Sequence, residues 1–162
     1  MKKCVVFAIL CCLLSGCAAE DTFETIADEM LQDVASPSWE IRITLPQEAV
    51  VPVAQTETGA LYHCEGYELM LQTLPGGDLD ATVRELTGYG RDQVTMVKTN
   101  PGNYRRWDMV WTTMGEAGEQ VGRASVLDDG YNHYVLSVLA PAEDADACRE
   151  AWEKVFASFA LD

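Results

Sequence analysis

Basic residues are scarce in this chain. Its 162 residues hold 11 Lys and Arg against 26 Asp and Glu, a formal net charge of −15. So acidic a chain repels nucleic acid, whose binding rests on Lys and Arg set against phosphates. Histidine is scarcer, with only His63 and His133. No Cys-x-x-Cys pair occurs, so no zinc site is expected. No Ser stands in a Gly-x-Ser-x-Gly elbow. The Asp clusters lack EF-hand spacing, and Gly76-Gly77 lacks the Lys and remaining glycines of a P-loop. Long apolar runs are missing too. Cys4 to Leu14 is uncharged for 11 residues, short of the ~20 that a membrane-spanning helix needs.

That short run has a different use. Met1-Lys2-Lys3 is a cationic start, the apolar run follows, and small residues end it. This is the layout of a signal peptide. The ending, Leu14-Ser15-Gly16-Cys17, resembles the lipobox of bacterial lipoproteins. The resemblance implies cleavage between Gly16 and Cys17 and a thioether-linked diacylglycerol on Cys17, which only a thiol nucleophile accepts. Two acyl chains, at ~0.8 kcal/mol per buried methylene, hold a protein stably on a membrane. The alternatives are an uncleaved N-terminal helix and a plain secretory signal cut after Ala19. The expected organisation is therefore a signal peptide over 1–16, an anchor and short helical or flexible tether over 17–37, and a single domain over 38–162.

Losing residues 1–16 leaves 146 residues, enough for one well-filled core. Lys2 and Lys3 leave with the leader, so the mature charge becomes −17. The domain should stand off an anionic lipid surface and favour divalent cations or a basic partner. A merely solubilising surface is the plainer reading. Of six cysteines, only Cys64 and Cys148 remain unassigned. Outside the cytoplasm such a pair invites a disulfide, worth roughly 4 kcal/mol for so long a loop in the chain-entropy model. Two buried thiols are the alternative.

Phe23, Ile26, Met30, Leu31 and Val34 recur at helical spacing, with Asp21 and Glu24 as a capping box. Trp39 to Leu45 alternates strictly and reads as a strand with one buried side. Ala60–Cys64 and Tyr67–Leu74 flank Glu65-Gly66 as a hairpin. Asp78 should cap a helix to Leu86, with an Asp80–Arg84 pair on its surface and Gly88 ending it. Gln93–Thr99 is a short strand. A meander over Tyr104–Met114, Glu119–Leu127 and Tyr131–Leu139 follows, and Glu143–Phe159 is a final helix with a Glu150–Lys154 pair.

Strands then helix, twice over, predict an α+β fold: an antiparallel sheet of about five to seven strands with a mid-chain and a C-terminal helix packed on it. The order of elements over residues 38–161, with Leu45-Pro46 closing the first strand and Ser158-Phe159 closing the last helix, resembles the PsbP-like fold shared by DcrB-like lipoproteins. That resemblance implies a non-catalytic accessory bound to a larger assembly. Fold alone is weak evidence for function.

No catalytic set assembles from the residue types. His63 and Cys64 are strand neighbours that point to opposite faces. His133 near Asp128 and Asp129 could be half of a hydrolase triad, or an exposed residue on a hairpin. Asp78, Asp80, Asp128 and Asp129 offer hard oxygen ligands to a cation, though turns and a helix start explain them. Tyr104, Arg106, Tyr131 and His133 are candidates for a contact surface, since aromatics and Arg are favoured at binding hot spots. The expectation is a non-catalytic, lipid-anchored, extracytoplasmic lipoprotein of the cell membrane that needs no cofactor or metal, does not bind nucleic acid and serves a protein partner in the envelope. A small-ligand or divalent-cation binder is the second reading, and a small hydrolase using His133 the third.

Overall fold

From His133 to Val138 six successive residues are buried. Successive strand side chains point to opposite faces, so this strand is covered on both sides. It is β8 (Asn132–Pro141), the middle of a seven-stranded antiparallel sheet. The computed structural model describes residues 39–162 except Ala117. The expected leader, tether and helix over 20–36 lie outside the described residues.

The other strands of this sheet are β2 (Ala54–Gln55), β3 (Gly59–Cys64), β4 (Tyr67–Pro75), β5 (Thr95–Thr99), β6 (Arg105–Gly115) and β7 (Gly118–Asp128). Their spatial order is β2-β3-β4-β8-β7-β6-β5. The β3–β4 hairpin and the β6–β7–β8 meander are as expected. The helices are α1 (Leu79–Thr87) and α2 (Ala145–Ser158). The fold is α+β, with a mid-chain and a C-terminal helix.

The two helices occupy opposite faces of the sheet. Under α2, Leu69, Leu127, Leu136 and Val138 meet Trp152, Val155 and Phe156. Under α1, Val83 meets Met109, Ala124, Val126 and Val135. Trp107 and Tyr134 are therefore both inward yet on different faces.

Local chemistry sets the ends of α1. Oδ1 of Asp78 accepts from Ala81 N at 3.0 Å, filling one orphan donor of the first turn. Gly88 takes φ 76°, and its N–H reaches Arg84 O at 2.9 Å. That left-handed step suits a residue without Cβ. The expected Asp80–Arg84 pair is replaced: Asp80 faces Arg91 at 3.6 Å, in the 3-10 turn after the helix.

The strand expected over Trp39–Leu45 is shorter. Only β1 (Ile41–Arg42) is laddered, because its partner β9 (Ala160–Leu161) is itself two residues long. The alternation still governs packing, since Trp39, Ile41, Ile43 and Leu45 all pack on the core beneath α2.

Candidate functional site

Helix α1 is too short for the face it covers. Nine helical residues rise about 14 Å, whereas the ten residues of β8 run about 33 Å. Past the C-terminal end of α1 the sheet stays open, and a groove of about 400 Å³ lies there. That volume falls among small-molecule sites. Its apolar surface comes from Leu61, Met70, Trp111 and Leu139 on the sheet, with Leu86 of α1 beside them.

A missing side chain shapes the floor. Gly122 pairs with Trp111 across β6 and β7. A Cβ on Gly122 would stand 2.2 Å from Cε2 and Cζ2 of Trp111. The indole therefore lies directly over this glycine, where any other residue would lift it.

Polar groups in the groove are few. Ser137 is 8 % exposed and lines it with its hydroxyl. Thr113 brings a second hydroxyl and Glu68 a carboxylate at the rim. Glu68 Oε1 also meets His63 Nε2 at 3.1 Å from a neighbouring hollow. Thr87, by contrast, is satisfied, donating to Val83 O at 2.8 Å.

On the same face, under α1, a second constellation is sealed. Thr82 Oγ1 lies 2.7 Å from His133 Nδ1, and His133 Nε2 lies 3.7 Å from Asp128 Oδ2. Arg105 completes the row, 2.8 Å from Asp128. A hydroxyl, an imidazole and a carboxylate in line resemble the nucleophile, base and orienting acid of a hydrolase. His133 is 1 % exposed, however, so it is not the exposed hairpin residue considered above. Burial depresses its pKa, and Asp128 offsets that only in part. Thr82 itself belongs to α1 and is buried. The row ties α1 to the sheet, with Thr82, His133 and Asp128 all buried.

The four residues expected to form a contact surface are not brought together. Tyr104 turns edge-on to Trp39, 6.2 Å between ring centres, and packs on the core beneath α2. Arg106 is drawn under α2 as well. It binds Asp108 at 2.8 and 2.9 Å and reaches the carbonyls of Phe156 and Phe159 at 3.0 Å. His133 sits on the opposite face, as strand parity requires. Tyr131 alone stands out, 47 % exposed at the β7–β8 turn.

The Asp pairs serve the backbone. Asp128 Oδ1 accepts from Gly130 N at 2.8 Å, while Asp129 Oδ1 accepts from Tyr131 N and Asn132 N at 2.8 and 2.7 Å. No group of three His, Cys, Asp or Glu among the described residues is placed to hold a metal ion.

Cys64 and Cys148 are free thiols here and pack in one core cluster. Burial pushes both thiols up in pKa. Sγ of Cys148 lies 3.7 Å from Glu65 O, against the turn that follows Cys64.

Sequence reasoning missed the groove. Leu61, Glu68, Met70, Ser137 and Leu139 were read as ordinary strand positions. The available signal was Ser137 within a run otherwise apolar from Tyr134 to Ala140.

No protein-family model matches the chain, and no curated protein matches it. Among solved structures it resembles a protein of Bacteroides thetaiotaomicron VPI-5482 with a TM-score of 0.51 and 13 % identity. The match covers 75 % of this chain and 45 % of the other, so the chain spans less than half of that neighbour's length. At this identity the likeness shows the fold alone.

Proposed function

We propose that the chain is a lipid-anchored, extracytoplasmic, non-catalytic domain that binds a component of the cell envelope. The groove beside α1 carries this reading: a largely apolar hollow of about 400 Å³ with the Ser137 hydroxyl among its lining. The lipobox-like Leu14-Ser15-Gly16-Cys17 supports the location. Among the described residues no helix is long and apolar enough to cross a membrane. The burial of Thr82, His133 and Asp128 speaks against catalysis by that row, since a substrate would have to displace α1 to reach it. The PsbP-like order of elements adds the analogy of an accessory. A Cys64–Cys148 bridge formed outside the cytoplasm belongs to the same proposal.

Of the alternatives, small-ligand binding is favoured by the groove's size. The test is mass spectrometry on the full chain purified from its own membrane. Denaturing spectra should show a mature chain starting at Cys17 with a diacylglyceryl mass, and Cys17→Ala should remain uncleaved. Non-denaturing spectra should show a retained small component, missing from Thr113→Arg, which fills the groove. A mature chain with an unmodified Cys17 overturns the anchor. A component retained equally by Thr113→Arg overturns the groove.

A further inference from the structure

We infer that the groove beside α1 takes a small ligand with an apolar body and one protonated amine. This deepens the binding reading above and rests on it.

The groove's electrostatics point one way. Among the described residues Glu68 is the only charged one that lines it, and no Lys or Arg does. The last turn of α1, with Leu86 and Thr87, forms its wall. A helix C-terminus carries partial negative charge. The Trp111 indole supplies a ring surface that attracts cations. The chain as a whole, at −15, adds a long-range field of the same sign. An anion meets repulsion from all of these.

The hydrogen-bond inventory agrees. An ammonium has three donors and no acceptor. The groove offers acceptors in the Glu68 carboxylate and the Ser137 hydroxyl, which stand diagonally across the neighbouring strands β4 and β8, whereas the Thr113 hydroxyl lies at the far end of the groove on β6. Ser137 is more than nine-tenths buried and lines the groove, so a ligand donor that reaches its hydroxyl gains a hydrogen bond. A purely apolar ligand would also strip water from Glu68 without replacing it. Leu61, Met70 and Leu139 require that the rest of the ligand be apolar.

The experiment is calorimetric titration of the full chain in detergent with three probes of one shape: phenethylamine, 2-phenylethanol and 3-phenylpropionate. Phenethylamine should bind about tenfold or more tighter than the alcohol, as a charge-assisted hydrogen bond implies. The carboxylate should not bind. Glu68→Gln, a change at an exposed position, should bring the amine close to the alcohol. Thr113→Arg, which puts a bulky cation into the groove, should abolish amine binding while the melting temperature shows the protein folded. Equal affinity for amine and alcohol in the wild type, both lost in Thr113→Arg, overturns the amine and leaves the groove standing. Binding of no probe, or binding unchanged in Thr113→Arg, overturns both.

Discussion

The hydroxyl of Thr82 stands 2.7 Å from Nδ1 of His133, joining α1 to the centre of the sheet through a pair sealed from solvent. With the ring proton on Nε2, facing Asp128, Nδ1 is the acceptor of the Thr82 hydroxyl. Burial holds His133 in its neutral form, so its folded pKa lies below the ordinary value of 6.5. The unfolded chain then binds a proton that the folded chain refuses. His133 thus contributes stability that is full above pH 6.5 and is lost as pH falls below it. Thermal melts from pH 7.5 to 5 should show a falling melting temperature. His133→Gln should flatten that slope while lowering the plateau. An unchanged slope in His133→Gln would show that another group sets it.

Removing the hydroxyl tests the same contact from the other side. Thr82→Val keeps the shape and β-branching but leaves Nδ1 buried without a donor. The expected cost is about 1–3 kcal/mol in urea unfolding. Thr82→Ser should lose much less, because its hydroxyl reaches the same nitrogen.

Most of the fold was legible in the sequence, and the reason is periodicity. The β3–β4 hairpin, the meander and both helices follow from alternation, turn residues and capping at Asp78 and Gly88. Alternation alone did not show that the central strand is covered on both faces. A strand buried on both sides shows as a continuous apolar run, and Tyr134 to Ala140 is one. With a helix on each side of that run, His133 is buried on the α1 side rather than exposed at the hairpin. Arg106 was misplaced for a different cause. It was assigned to a contact surface because Arg is favoured at hot spots, whereas Asp108, Ser125 and two helix carbonyls await it under α2. The groove was invisible because its shape depends on where α1 stops relative to strands far away in sequence.

Arg106 should be the costliest surface-type residue to remove. It pairs with Asp108 through two hydrogen bonds and caps the carbonyls at the end of α2. Burial raises the Asp108 pKa, but the hydrogen bonds from Arg106 and Ser125 outweigh it and hold the carboxyl below its usual range. Arg106→Met would strand Asp108 and the carbonyls of Phe156 and Phe159 together. The expected loss is about 3 kcal/mol or more, measured by urea unfolding. Arg106→Lys should recover only part of it, since an ammonium cannot span the fork. Asp108→Asn should remove the acid-side loss of stability, which otherwise appears as pH falls below the usual carboxylate range.

Gly122 and Trp111 should behave as one unit. The glycine is not in a left-handed conformation, so its role is spatial and not torsional. A methyl at 2.2 Å from the indole carbons cannot be accommodated unless the ring moves. Gly122→Ala should therefore destabilise by about 1–3 kcal/mol, as overpacked positions do, against the small gain that Gly→Ala gives in a strain-free strand. Trp111→Leu alone should cost about as much, through lost burial. In the double variant the methyl has room, and the leucine fills part of the space that the indole vacates. The two losses should not add, with a coupling of about 1 kcal/mol or more by double-mutant cycle. Simple additivity would mean that the indole escapes the methyl by turning into the groove at little cost. In that case Gly122→Ala would block ligand entry without loss of stability, and the titrations above would detect it.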